Sequence, residues 1–384
     1  MKVEVMATTV PGSKTSKLDF DKLGGHAAGI CYMADTFQAI LNEDVRETEK
    51  RIKRTQVTGH HSVYDHPTIM LYLDQVPKLL VMLLNNEKMY TTSEKSARYT
   101  KMAMSGLEKK LYYKWLDIFQ QQITKVYGNF YNKAQIEKLA QENSRYLISV
   151  MTPTSLAYTV SYRQLNYIYG WIKQMISQDK SELANLLRPS LIKFAKELEK
   201  TGYIEPNLVT DNKNRSFSLF TQKLNRVEYF GDVYCTTYKG SLAQLAQAHR
   251  HRTLNYTITL LPKKEFYIPP IIADNKELVS EWLEDMNKVG DLYPQGLLVS
   301  INERGTYENF ILKTKERLCT YAQLEICQQT HKTLLKYAQV LKQSNHVLVT
   351  DIEKYTKGAR CTSGDYNCSN DCHFKAGKLL DRLI

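Results

Sequence analysis

No stretch of the 384 residues is apolar for the length that crossing a bilayer requires. The most apolar window, 71–84, is interrupted by Asp74 and Lys78, and the start, Met1-Lys2-Val3-Glu4-Val5, lacks the apolar run of a secretory signal. These absences predict a soluble, cytoplasmic protein with no membrane partner. No low-complexity tract is present, and 43% hydrophobic and 24% charged residues are globular proportions, with length for two ordinary cores. There is no H-E-x-x-H and no C-x-x-C, so two common signatures of zinc sites are missing. A formal charge of +12 favours anionic partners such as nucleotides, polyglutamylated cofactors or nucleic acid. No recognisable nucleic-acid module accompanies it, and the basic residues are spread along the chain, so no nucleic-acid partner is expected. Cys31, Cys235, Cys319 and Cys327, four of the seven cysteines, are scattered among apolar neighbours, as thiols are in a reducing compartment.

What is present centres on Gln247-Ala248-His249-Arg250-His251-Arg252, at the end of a helix predicted to open after Gly240-Ser241. Arginine forks match phosphate bidentately, and histidine donates or accepts near neutral pH. Three cationic side chains alone also describe a solvated patch, but Gln247 lies three residues before Arg250 and shares its helical face. Upstream, residues 42–58 read as a helix with acids at its start, bases later and Gly59 as its stop. His60-His61-Ser62-Val63-Tyr64-Asp65-His66 follows, and its spacing suits a polar loop better than a metal site.

Residues 68–76 alternate as a half-buried strand, and Pro77 opens a helix toward Asn86-Glu87-Lys88. Residues 233–238 read as a second strand, and Ser241 to Arg250 repeats the nine-residue separation of Pro77 to Asn86. Strand, tight turn, helix and polar triplet thus occur twice in the same order, which predicts a duplicated domain. Gly, Pro, Asn and Asp usage around 201–216 marks a connector, with the boundary near 205. The expected domains are 1–204 and 205–384.

With Gln247 included, the basic run resembles the Q-x-x-R-H-R signature of the flavin-dependent thymidylate synthases. His60, Ser62 and Asp65 resemble that family's H-x-S/T-x-x-E-H stretch, with Asp65 where glutamate is usual. Glu94-Lys95-Ser96-Ala97-Arg98-Tyr99 resembles its E-x-S-x-R-Y nucleotide loop, with Ala97 replacing a glycine. Arg145 and Arg163 are similar to two further arginine positions, and Arg317-Leu318-Cys319-Thr320-Tyr321-Ala322-Gln323-Leu324-Glu325-Ile326 is similar to R-x-x-x-x-A-Q-x-E-I. Each half lacks what the other keeps. Asn86-Glu87-Lys88 stands in place of the basic triplet and Ile172 in place of Arg317, while 258–263 has no counterpart of the loop. Ser161, Tyr167 and Leu312 stand where asparagines commonly contact flavin.

The resemblance implies an α+β fold of two tandem domains, each a small antiparallel sheet packed with long helices, a pseudo-dimer within one chain. It implies reductive methylation of dUMP to dTMP, with methylenetetrahydrofolate as carbon donor, FAD as hydride carrier and NADPH as reductant. Arg317 and Ser96 would be catalytic, and Glu94, Ser96, Ala97, Arg98, Arg145, Gln247, Arg250 and Arg317 would bind the nucleotide. His60, Ser62, Asp65, Arg163, Arg250, His251 and Arg252 would hold the cofactor. Complementary losses imply one composite site per chain, and a family of homotetramers implies a homodimer here. Two other readings stay open: a related flavoenzyme acting on another pyrimidine nucleotide, and a non-enzymatic nucleic-acid-binding homologue. Cys361, Cys368, Cys372 and His373 number enough to ligate zinc, yet Cys372 and His373 are adjacent and ordinary tail thiols are preferred.

Overall fold

The computed structural model describes residues 1–10, 15–33, 36–97, 100, 102–209, 219–220, 226–364, 366, 368, 372–374 and 378–384. Among the described residues, eight strands form two four-stranded antiparallel sheets. The first contains β1 (Lys2–Thr8), β2 (Thr68–Pro77), β3 (Thr91–Glu94) and β4 (Pro153–Ser161) in the order β1-β2-β4-β3. The second contains β5 (Tyr229–Phe230), β6 (Val233–Ser241), β7 (Asn255–Leu260) and β8 (Leu298–Thr306) in the order β5-β6-β8-β7. Alternation makes these strands, since period two sends every second side chain to one face. In β2 the buried set is Ile69, Leu71 and Leu73; in β4 it is Leu156, Tyr158 and Val160. The two sets pair directly, Ile69 with Val160 and Leu73 with Leu156.

A seven-residue helix follows the second strand of each sheet, Lys78–Leu84 after β2 and Leu242–Ala248 after β6. Another follows the last strand of each sheet. Tyr162–Gln178 starts at the cap Ser161, whose hydroxyl accepts from Gln164 N, and Tyr307–Arg317 starts at Thr306, which accepts from Asn309 N. Counted from these caps, Ile172 and Arg317 both lie eleven residues on. Glu94 pairs with Leu156 and Ile258 with Ile301, and those partners both lie five residues before the cap. Glu94 and Ile258 therefore share a register position, as the spacing from the two triplets predicts.

The helix expected over 42–58 is Val45–Val57, with the Asp44 carboxylate accepting from Arg46 N at 2.8 Å. Gly59 follows at φ +74°, a left-handed conformation that glycine adopts without strain. The helix expected to run to Arg252 instead ends at Ala248, where His249 caps it. The basic triplet lies in the turn beyond.

The chain divides into two compact units, Met1–Lys95 with Pro153–Phe220 and Ser96–Thr152 with Thr221–Ile384. A contiguous split at 204/205 differs from this in placing 96–152 with the first sheet and 205–220 with the second. Packing explains the placement. In the second unit, helix Gly106–Tyr127 buries Trp115 edge-on against Trp282 of helix Lys276–Lys288, with ring centroids 4.8 Å apart, and Phe119 joins them at 5.5 Å. Trp115 Nε1 also donates to Asp285 at 3.0 Å. Full burial of one such apolar side chain is worth about 1.5–3 kcal/mol.

Candidate functional site

In the second unit a buried polar network begins at Ser241, the cap that opens helix Leu242–Ala248. Its hydroxyl accepts from Gln244 N and donates to Glu325 Oε2 at 2.6 Å, while its backbone N–H donates to Glu325 Oε1 at 2.8 Å. Tyr146 donates to the same carboxylate at 3.0 Å. Burial raises the Glu325 pKa, opposed by these Ser241 and Tyr146 hydrogen bonds and by the Arg145 charge. Tyr146 in turn accepts from Gln323 Nε2, whose amide oxygen accepts from both Arg145 and Gln247, the latter at 2.8 Å. Arg145 and Gln247 come from different sequence halves, and a single side chain joins them inside one compact unit.

Arg317, the last residue of its helix, lies six positions before Gln323. Its Nε donates to His251 Nε2 at 2.6 Å. Burial, then the charges of Arg317 and Lys313, push the His251 pKa down to about 2. The Glu316 carboxylate, 3.7 Å from Nδ1, would favour the charged ring. Glu316 is half exposed, so water screens it, and the neutral ring is the form consistent with accepting from a guanidinium.

Other expected positions separate by unit. His251, expected beside the flavin, has its ring buried against Arg317, whereas Arg250 and Arg252 are exposed. Ser96 and Ala97 are part-buried and belong to the second unit; Arg98 lies outside the described residues. Glu94 belongs to the first unit, where Lys78 Nζ contacts its oxygens at 2.6 and 2.7 Å. Asp65, also in the first unit, accepts from Ser161 Oγ at 2.7 Å and Arg163 Nη1 at 3.0 Å. His60 leads into the 3₁₀ turn His61–Asp65, on which Ser62 is exposed.

Cys361, Cys368 and Cys372 line one cavity together with Cys319. His373 instead stacks near Phe130, with centroids 4.7 Å apart, and among the described residues no group of three His, Cys, Asp or Glu side chains is placed to hold a metal. Tyr146, Gln323, Glu325, Glu303 and Lys313 were not expected to take part. Gln323 and Glu325 stand inside the matched run after Arg317, so their signal was present; the others show none.

Residues 15–174 match the family model described as thymidylate synthase complementing protein. This segment belongs to that family. The flavin-dependent thymidylate synthase of Pyrococcus furiosus is 20% identical over 151 residues, covering 36% of this chain. The chain spans 59% of that relative's length. Two solved structures are also similar. One is the flavin-dependent thymidylate synthase of Helicobacter pylori complexed with FAD and dUMP, at 13% identity over 54% of this chain and 99% of that one, with a TM-score of 0.34. The other is a UMP/dUMP methylase from Streptomyces cacaoi bound with 5-Br dUMP, at 14% identity over 54% and 92%, with a TM-score of 0.36. Among the described residues no helix is long and apolar enough to cross a membrane.

Proposed function

We propose that this chain is a flavin-dependent thymidylate synthase, converting dUMP to dTMP with methylenetetrahydrofolate and NADPH through FAD. The observation that carries the reading is the meeting of Arg145 and Gln247 on the Gln323 amide, close in sequence to Arg317. Polar side chains from both sequence halves thus build one nucleotide site in the second unit. Arg145 and Arg250 hold the phosphate, Gln247 and Ser96 contact the nucleotide, and Arg317 faces the pyrimidine carbonyl. There its charge stabilises the negative charge that develops as the ring becomes a carbon nucleophile.

FAD, when bound, supplies hydride transfer. The exposed guanidiniums of Arg250 and Arg252 fit its phosphates, each offering a planar donor fork. His60, Ser62, Asp65 and Arg163 are the cofactor residues proposed in the first unit, where Ser161 and Arg163 fix the Asp65 carboxylate. The repeated strand order and equivalent caps support two duplicated halves, 1–204 and 205–384. Anaerobic titration of the protein with FAD, followed by NADPH, tests the reading. Saturable flavin binding and bleaching of the flavin band by NADPH are expected, and absence of binding at saturating FAD overturns it.

A further inference from the structure

We propose that His251 is a positioning residue for Arg317, accepting its Nε–H so that the remaining guanidinium donors face the pyrimidine in one orientation, above a buried Lys313–Glu303 pair. This deepens the reading of Arg317 given under Proposed function and rests on it. The geometry is restrictive. A guanidinium Nε–H only donates, so the 2.6 Å contact requires a lone pair on His251 Nε2 and places the ring proton on Nδ1. A protonated ring would set two donors face to face.

The surroundings hold that tautomer. The charged groups facing the ring are Arg317, Lys313 and Glu316, and the Glu316 carboxylate is the half-exposed one beside Nδ1. Lys313 lies one helical turn before Arg317, 1% exposed, with its Nζ 2.6 Å from Glu303 Oε2. Glu303 is fully buried, and Tyr234 and Tyr238 each donate to one of its oxygens at 2.7 Å. The carboxylate therefore has a lysine and two phenols as donors, which pins Lys313 and the helical turn that carries Arg317.

Stability alone does not call for this set. A buried ion pair is often no more stabilising than apolar side chains of similar volume. The first unit builds the same strand and helix positions with apolar or uncharged residues: Ile69 for Tyr234, Leu73 for Tyr238, Tyr158 for Glu303 and Ile168 for Lys313. In that unit Ile172 replaces Arg317 and Glu87 replaces His251. At the Glu303 and Lys313 positions, the buried charges occur in the unit that has a guanidinium to orient and are replaced by Tyr158 and Ile168 in the other.

The test uses the full chain with selectively ¹⁵N-labelled histidine, the His251 signals being those lost in His251→Phe. The Nδ1–H, neutral tautomer of His251 is expected from pH 5 to 9; an Nε2-protonated or cationic ring in that range overturns the proposal whether or not the protein is active. His251→Phe should lower kcat by about 100-fold with KM for dUMP changed less than about threefold. His251→Gln, whose amide oxygen can accept from Nε, should recover activity to within about tenfold of wild type. Unchanged kcat in a folded His251→Phe protein overturns the proposal. If the wild-type protein neither binds FAD nor turns over, the functional reading fails on its own. The Arg317 Nε–H resonance then decides the positioning: a downfield signal lost in His251→Phe supports it, and a signal insensitive to that change overturns it.

Discussion

Arg317 and Ile172 occupy the same position after equivalent helix caps, so substituting each separates chemistry from packing. Arg317→Ala should raise the barrier by about 3–4 kcal/mol, seen as a fall of about 10²–10³ in kcat with the fold retained. Ile172 is fully buried, and Ile172→Ala should lower unfolding free energy by about 2–5 kcal/mol through a cavity. Equally severe catalytic losses in two well-folded variants would contradict the asymmetry. His251 carries a pH prediction of its own. Its folded pKa, about 2, lies below the ordinary value of about 6.5, so between them the unfolded chain binds a proton that the folded chain refuses. Its contribution to stability is full above about pH 6.5 and declines as pH falls through that window. Denaturant midpoints measured from pH 7 to 4 should fall less steeply in His251→Gln than in wild type; parallel slopes would show that the ring is not buried neutral. The matched run after Arg317 made that arginine, Gln323 and Glu325 visible in the sequence. Their pairings were not visible, because Arg145 lies 178 residues from Gln323, and no local period reports such a meeting.

At the scale of elements, short polar caps start the helices, and Ser161, read from the sequence as lying within a helix, is the cap that precedes one. Asp44, Ser161 and Ser241 are short polar side chains before helices, and all three accept from a backbone N–H of the first turn. The end of helix Leu242–Ala248 was less legible. No glycine or proline stops it, and the helix gives way to a turn at His249, so the basic triplet was placed on helix one turn too far. Ser241 does more than cap. Its hydroxyl also donates to buried Glu325, so Ser241→Ala should lose the cap, about 1 kcal/mol, and leave a buried carboxylate one donor short, about 1–3 kcal/mol more. Thr306→Ala, which removes a cap alone, is the control at about 1 kcal/mol. Denaturant unfolding of both compares them, and equal losses would show that the Ser241–Glu325 contact adds nothing.

For the whole molecule, two sheets of identical strand order are built from compact units that interleave in sequence. The recurrence of strand, helix and triplet was legible because the two runs share the same spacings. The interleaving was not, since it depends on Trp115 and Phe119 finding Trp282 about 160 residues away. Interleaving has a consequence for stoichiometry. It gathers Ser96 and Arg145 of the first sequence half with Gln247, Arg250 and Arg317 of the second into one unit. The first unit's equivalents of Arg250, His251, Arg252 and Arg317 are Asn86, Glu87, Lys88 and Ile172, of which Glu87 is buried and Ile172 offers no charge to a pyrimidine. On the proposed function this gives one complete nucleotide site per chain, and the proposed homodimer should bind about two dUMP rather than four. Calorimetric titration with dUMP, run beside light scattering for the assembly mass, gives both numbers; two equal sites per chain would overturn the split-site reading, because Ile172 cannot supply what Arg317 does.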